Sequence, residues 1–302
     1  MKKHEKLTVS SEYAHTANEK PDWRESYYFN WVDLEAGISG FSTIGLLPNI
    51  GKREFVFALF YRSEREVYFQ EPDGHFSDDL LESLTDGILT YKLIEPLKEW
   101  HIFFNDDKLK ADIKWPCRFP VYDFGTGSGT SWAGHFEQSG SPYGRIEFSD
   151  GKIINFRGLG ERDKSWGSRD WHIESWFALH AQFDELSIGL RRDEVKGEAH
   201  CSGGISSADG HIPIETIDFA TETHSDHGIP IGAKTRIVGT DGSVYNIRSH
   251  LINPNSYVRF AREFHGGTTE LFEGMVVHTC KELGASGTGL VEWLFTHLEK
   301  RK

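Results

Sequence analysis

The sequence predicts an all-β protein made of two halves, each a β-barrel or sandwich, followed by one short C-terminal helix. Three observations carry this reading. Asp-Gly occurs five times, at 73–74, 86–87, 150–151, 209–210 and 241–242, and this dipeptide accepts the positive φ angles that tight hairpins need. Aromatic residues make up 13% of the chain, with 9 Trp, 10 Tyr and 21 Phe, which suits broad β-surfaces and apolar interiors. At 302 residues the chain is long enough for two domains with separate cores. Short strands between regular turn signals argue for sandwiches or barrels over alternating β-α units.

The elements follow in order. The opening, MKKHEKLTVSSEYAHTANEK, is basic but has no apolar run behind it, so no secretory signal is expected. Trp23 to Trp31 reads as an aromatic strand. It leads into Gly37 to Gly45 and Leu47 to Gly51, where glycines and small polar residues let strands bend, either toward a ligand or simply around a barrel. The longest apolar run, Phe55 to Tyr61, is far too short to span a membrane. Asp78 to Leu84 is expected to form a turn or two of helix. Two hairpins look complete: Arg145–Phe148 with Lys152–Phe156 around Ser-Asp-Gly, and Thr235–Val238 with Ser243–Ile247 around Gly-Thr-Asp-Gly. At the end, Leu290, Trp293, Leu294, His297 and Leu298 share one helical face, and Lys300 to Lys302 suit a helix's negative end.

A weak repeat points to the division into halves. Phe136-Glu-Gln with Gly158-Leu-Gly160 resembles Phe272-Glu-Gly with Gly287-Thr-Gly289, and Trp23–Trp31 resembles Trp166–Phe177. Two related β-domains, 1–165 and 166–302, are therefore expected.

Composition excludes more than it asserts. A net charge of −13 disfavours nucleic acid and anionic membranes as partners. Cys117, Cys201 and Cys280 are odd in number and far apart, which fits a reducing, cytoplasmic setting without a disulfide framework or zinc knuckle.

The densest chemical signal is Gly158-Leu-Gly-Glu-Arg-Asp-Lys-Ser-Trp-Gly-Ser-Arg-Asp-Trp171. Two Arg-Asp pairs, Arg162–Asp163 and Arg169–Asp170, flank a Trp-Gly turn. They either tie the halves together around packed tryptophans, or ring a cavity and hold an acid in place. Upstream, Gly134 to Gln138 reads as a strand whose His135 and Glu137 share a face. Turned inward, they bring two titratable groups to one cavity; turned outward, they are ordinary surface residues. Other motifs carry less. His224 and His227 form an HxxH without a helix, so no metal site is expected. Gly125 to Gly129 lacks the lysine and helix of a phosphate cradle, and Ser128 and Ser131 lack a nucleophile elbow.

The run GHFEQSG…GRIEF…GKIINFRGLGERDKSWGSRDW resembles the central signature of the carotenoid hydratase (CrtC) and AttH-like proteins, most of all their uncharacterised bacterial branch. Tyr27-Tyr-Phe-Asn-Trp31 and Gly287-Thr-Gly289 extend the likeness over roughly residues 22 to 293. The resemblance implies two lipocalin-like domains, a cavity near their junction, a hydrophobic small-molecule substrate, and no metal or redox cofactor. In that family the position after Arg-Asp is often histidine; here it is Lys164. Its hydratases protonate an isolated double bond. That needs a carboxyl group kept protonated in apolar surroundings, aromatic faces for the developing cation, and a second group to return the proton. The expected acid is Asp163, with Glu137 or His135 as its partner. Trp166 and Trp171 would form the aromatic wall, Arg162 would bind at the site or neutralise Asp163, and Arg169–Asp170 would be a scaffold pair. Three functions stay open: a cofactor-free lyase or isomerase, a non-catalytic carrier of hydrophobic ligands, and a cyclase that preorganises a polyene.

Overall fold

The computed structural model describes residues 7–125, 132–169 and 173–298. It divides into two compact units, Met1–Arg169 and Asp170–Lys302. The division expected after residue 165 falls inside a strand of the first unit, Gly160–Ser168. Among the described residues helix is confined to three short 3₁₀ turns, one of them Leu80–Ser83 within the segment expected to be helical. No helix among them is long and apolar enough to cross a membrane.

The described residues of the first unit form twelve strands in two antiparallel sheets. One sheet contains β1 (Trp23–Asp33), β2 (Ile38–Leu47), β3 (Lys52–Tyr61), β4 (Glu64–Gln70), β8 (Tyr122–Gly125), β9 (Gly134–Gly140) and β12 (Gly160–Ser168), in the order β4-β3-β2-β1-β12-β9-β8. The other contains β5 (Leu89–Glu95), β6 (Glu99–Asn105), β7 (Leu109–Pro116), β10 (Tyr143–Phe148) and β11 (Ile153–Arg157), in the order β11-β10-β7-β6-β5. A single aromatic core lies between them. Phe29 of β1 meets Tyr91, Trp100 and Trp115 of the smaller sheet at ring distances of 5.1, 5.7 and 5.3 Å, and Phe57 stacks on Phe104 at 4.3 Å. Geometry of this kind adds to the area already buried.

The second unit is a barrel. Its strands are β13 (Ser175–Gln182), β14 (Ser187–Val195), β15 (Glu198–Ser207), β16 (Gly210–Thr223), β17 (Pro230–Gly239), β18 (Val244–Leu251), β19 (Tyr257–Phe264), β20 (Gly267–Cys280) and β21 (Ala285–Leu298). Pairing runs β18-β17-β16-β15-β14-β13-β21-β20, and β20 returns to β18, which closes eight strands. The long β20 also carries β19 along its first half. Phe177, Leu179, Leu190, Ile237, Val276 and Trp293 fill the inside. Both expected hairpins are present, as β10–β11 and β17–β18. Four of the five Asp-Gly glycines, Gly87, Gly151, Gly210 and Gly242, have positive φ.

The expected C-terminal helix is instead the strand β21, paired with β20 along its whole length. The reason is burial on two sides. Val291 and Trp293 face the barrel interior, while Leu290 and Leu294 on the opposite face are buried as well. A strand covered on both faces loses its alternation and mimics a helical stripe. Gly289 belongs here by necessity, since a Cβ at that position would stand 1.8 Å from the His180 carbonyl oxygen of β13. Lys300 to Lys302 lie outside the described residues.

Candidate active site

Strand alternation decides what β12 can do. Arg162, Lys164 and Trp166 stand opposite Phe29, Tyr27 and Glu25 of β1 and face the smaller sheet. Asp163 and Ser165 stand opposite Tyr28 and Ser26 and face the other way. Arg162 and Asp163 therefore cannot form the neighbouring pair that their adjacency invites.

On the inner face Arg162 finds Glu12 instead. Its Nη1 and Nη2 donate to the two carboxylate oxygens at 3.0 and 2.6 Å, a bidentate pair with both side chains buried. Its Nε and Nη2 also donate to Gln138 Oε1. Cys117 donates to the same oxygen, and burial pushes this thiol up to about 11, so it stays protonated. Lys164 pairs with Glu25, both at 0% side-chain exposure. Burial alone would push the Glu25 carboxyl up, but Lys164 and His15 together hold it below its ordinary value. His15 lies flat on Trp166, with ring centroids 3.7 Å apart and planes within 7°.

The outer face of the same strands carries a polar patch. Tyr28, Asp163 and Glu137 form one row across β1, β12 and β9, continued by Tyr122 of β8. Ser26, Ser165 and His135 form the next. Ser26, Tyr28, His135, Glu137 and Ser165 are buried, and Asp163 is half-buried. His135 Nε2 lies 3.4 Å from Glu137 Oε1. The imidazole is framed by Phe124, stacked at 4.6 Å, and Trp132, edge-on at 4.7 Å. Arg169 reaches in from the end of β12, donating to Ser165 Oγ at 2.6 Å and Ser26 Oγ at 3.2 Å. Ser165 Oγ in turn lies 3.5 Å from Asp163 Oδ1. Burial, then the charges of Asp123 and Glu137, push the Tyr122 hydroxyl up to about 12, so it stays neutral. Two carboxylates, an imidazole, phenols and a guanidinium thus converge beside aromatic faces, a set suited to moving protons.

Sequence reasoning named Asp163, Glu137 and His135, and the fold brings these three to one face, with Arg169 beside them. Arg162 and Trp166 are corrected to the opposite face, because they differ from Asp163 by odd numbers of residues along one strand. Trp166 thus stacks on His15 and forms no wall for the His135–Glu137 pair. Asp170 and Trp171 lie outside the described residues, as do Ser128 and Ser131. Sequence reasoning missed Tyr28, Ser26, Ser165 and Tyr122; alternation groups Ser165 with Asp163 and Ser26 with Tyr28, and strand register joins these groups to His135 and Glu137. His224 and His227 stack at 5.3 Å in an exposed turn. Among the described residues no group of three or more His, Cys, Asp or Glu could hold a metal ion. A groove of about 880 Å³ lies away from this face, along Asp33, Lys114, Tyr143 and Arg157.

Fold and site together define a class: an antiparallel β-protein whose first unit carries acid–base side chains on the buried outer face of its larger sheet. The chain belongs to the family described as a domain of unknown function, DUF7064, whose model matches residues 8–296. No curated protein matches the sequence. Among solved structures the chain is similar to kievitone hydratase from Nectria haematococca, with 12% identity, a TM-score of 0.66, and coverage of 96% of this chain and 93% of that one. It is also similar to CghA crystallised with Sch210972, with 9% identity, a TM-score of 0.65, and coverage of 93% and 90%. CghA alone gives 10% identity and a TM-score of 0.64, with the same coverage. At such identities the likeness shows the fold.

Proposed function

We propose that this protein is a cofactor-free lyase or isomerase, hydratase-like in its chemistry, acting on a hydrophobic terpenoid, polyketide or aromatic small molecule. The observation that carries the reading is the row in which Asp163 stands directly across from Glu137, with His135 3.4 Å from the latter. Side chains so paired approach within roughly 5 Å at Cβ, so both carboxyl groups reach the same bound double bond. The carboxyl that carries a proton is the acid. Its proton, given to one carbon of a double bond, leaves a cation on the other carbon, which the rings around His135 stabilise. Water adds to that cation and returns its proton to the carboxylate, directly or through His135, so that the net change is one water gained. Loss of a different proton from the same cation gives an isomer.

The relatives support this reading. One of the similar structures is by name a hydratase, and another was crystallised with Sch210972. The resemblance to carotenoid hydratases and AttH-like proteins points the same way. Lys164, which stands where those proteins often have histidine, is paired with Glu25 on the inner face, so the acid chemistry here is assigned to Asp163 and Glu137.

The test is a screen of unsaturated terpenoids, polyketides and prenylated aromatics, kievitone included, with products followed by mass spectrometry. The wild-type protein is expected to add one water to, or isomerise, at least one compound. Asp163→Asn is expected to lose about a hundredfold or more of that turnover. Compounds that bind without turnover would make the protein a carrier and overturn the reading. Equal turnover in Asp163→Asn and Glu137→Gln would remove the site.

A further inference from the structure

The segment before β1 has an unusual way of being held. Across residues 8–15 its fully buried side chain is a carboxylate, Glu12, while Val9 and Tyr13 beside it are exposed. Three donors grip that carboxylate: Arg162 Nη1 at 3.0 Å, Arg162 Nη2 at 2.6 Å, and the Leu97 backbone N–H at 2.7 Å. Leu97 sits in the turn Glu95–Lys98 with φ of +61°, a left-handed conformation that leucine rarely adopts. Strained backbone aimed at a ligand group is a recurring mark of binding sites. Three residues on, the ring of His15 lies parallel to Trp166 at 3.7 Å, and the Tyr27 hydroxyl reaches the Glu12 carbonyl at 3.4 Å. The fixed parts of the unit thus offer a carboxylate clamp and, beside it, an aromatic face for a flat ring.

We propose that residues 8–15 are a displaceable strap over a second binding site, which takes a planar conjugated carboxylic acid. Glu12 occupies the place of the acid's carboxylate, and His15 the place of its conjugated body. The anchoring is polar: beside the Glu12 and His15 side chains it has the Tyr27 hydroxyl on the Glu12 carbonyl and the His15 backbone N–H on Glu25 Oε1 at 2.8 Å, and a ligand with both features replaces the two side-chain contacts. A neutral analogue matches the ring but not the clamp. The site lies on the inner face and is independent of the Asp163–Glu137 chemistry.

The experiment uses the full chain and two probes, all-trans-retinoic acid and all-trans-retinol, followed by quenching of tryptophan fluorescence. Glu12→Gln removes the strap's charge and weakens its hold. It is expected to tighten retinoic acid by about tenfold, with retinol, which needs the same displacement, tightening by a similar factor but binding more weakly than the acid. The double variant Glu12→Gln/Arg162→Met keeps the interior uncharged and is expected to lose the acid's advantage over the alcohol. No tightening, equal affinity for acid and alcohol in Glu12→Gln, or an acid advantage that survives in the double variant would each overturn the proposal. Wild-type protein gives a second readout that needs no variant: retinoic acid, more than retinol, is expected to speed chymotryptic cleavage at Tyr13–Ala14. Cleavage unchanged by the acid would also overturn it. Loss of this binding leaves the alkene-hydration assay unaffected, so the two readings fail separately.

Discussion

The two faces of β12 carry different polar arrangements within six residues. On the inner face Arg162 pairs with Glu12 and Lys164 with Glu25. On the outer face the carboxyl groups of Asp163 and Glu137 stand side by side across the strands, Glu137 3.4 Å from the His135 imidazole and Asp163 beside Ser165, which Arg169 also reaches. Matched pairs in a low-dielectric interior hold a structure in register, and breaking one leaves a stranded charge. Under the proposed function the outer arrangement supplies the groups that pass a proton. The comparison teaches that adjacency in sequence is a poor guide to partnership in a strand. Arg162 and Asp163 look like a pair and belong to separate systems.

The comparison can be broken at its inner side first. Lys164→Met takes the Lys164 cation from buried Glu25 and leaves it the His15 contacts, and is expected to cost about 3–5 kcal/mol in denaturant unfolding. Adding Glu25→Gln removes the stranded charge, so the double variant is expected to recover much of that loss. Full recovery would also show how little the pair adds over a neutral interior.

The pH dependence sharpens the same point. Burial opposes ionisation of Glu25, yet Lys164 and His15 hold its carboxyl below the ordinary 4.5. A carboxyl lowered by folding contributes stability that is present above its unfolded value and lost as pH falls through the folded one. Unfolding free energy is therefore expected to decline below about pH 4.5 through Glu25. The Glu25→Gln/Lys164→Met variant is expected to show a shallower decline in urea melts taken across that range.

Much of the architecture was legible because turn chemistry is local. Asp150-Gly151 and Asp241-Gly242 announce their hairpins, and Gly151 and Gly242 take the positive φ that the dipeptide permits. The last strand was not legible, because Leu290, Val291, Trp293 and Leu294 are buried on both faces and their spacing fits a helix equally well. In the site, His135 and Glu137 could be placed together by alternation alone. Asp163 joins them only through the register of β12 with β9, which no local signal carries. Glu12 is farther from view still, lying 150 residues from Arg162 in a segment of unremarkable polarity. The same alternation, applied to residues 161–166, separates Arg162, Lys164 and Trp166 from Asp163 and Ser165, and would have withdrawn Trp166 from the proposed wall.

The account's central claim is that neighbouring residues of β12 serve stability on one face and chemistry on the other. It is tested most directly by urea unfolding of Asp163→Asn beside Lys164→Met at neutral pH. Asp163→Asn keeps an oxygen for Ser165 and is expected to leave stability within about 1 kcal/mol of the wild type, against the loss of about 3–5 kcal/mol at Lys164. Equal and large losses in the two variants would contradict the claim, since Asp163 would then be a structural ion-pair partner like its neighbour.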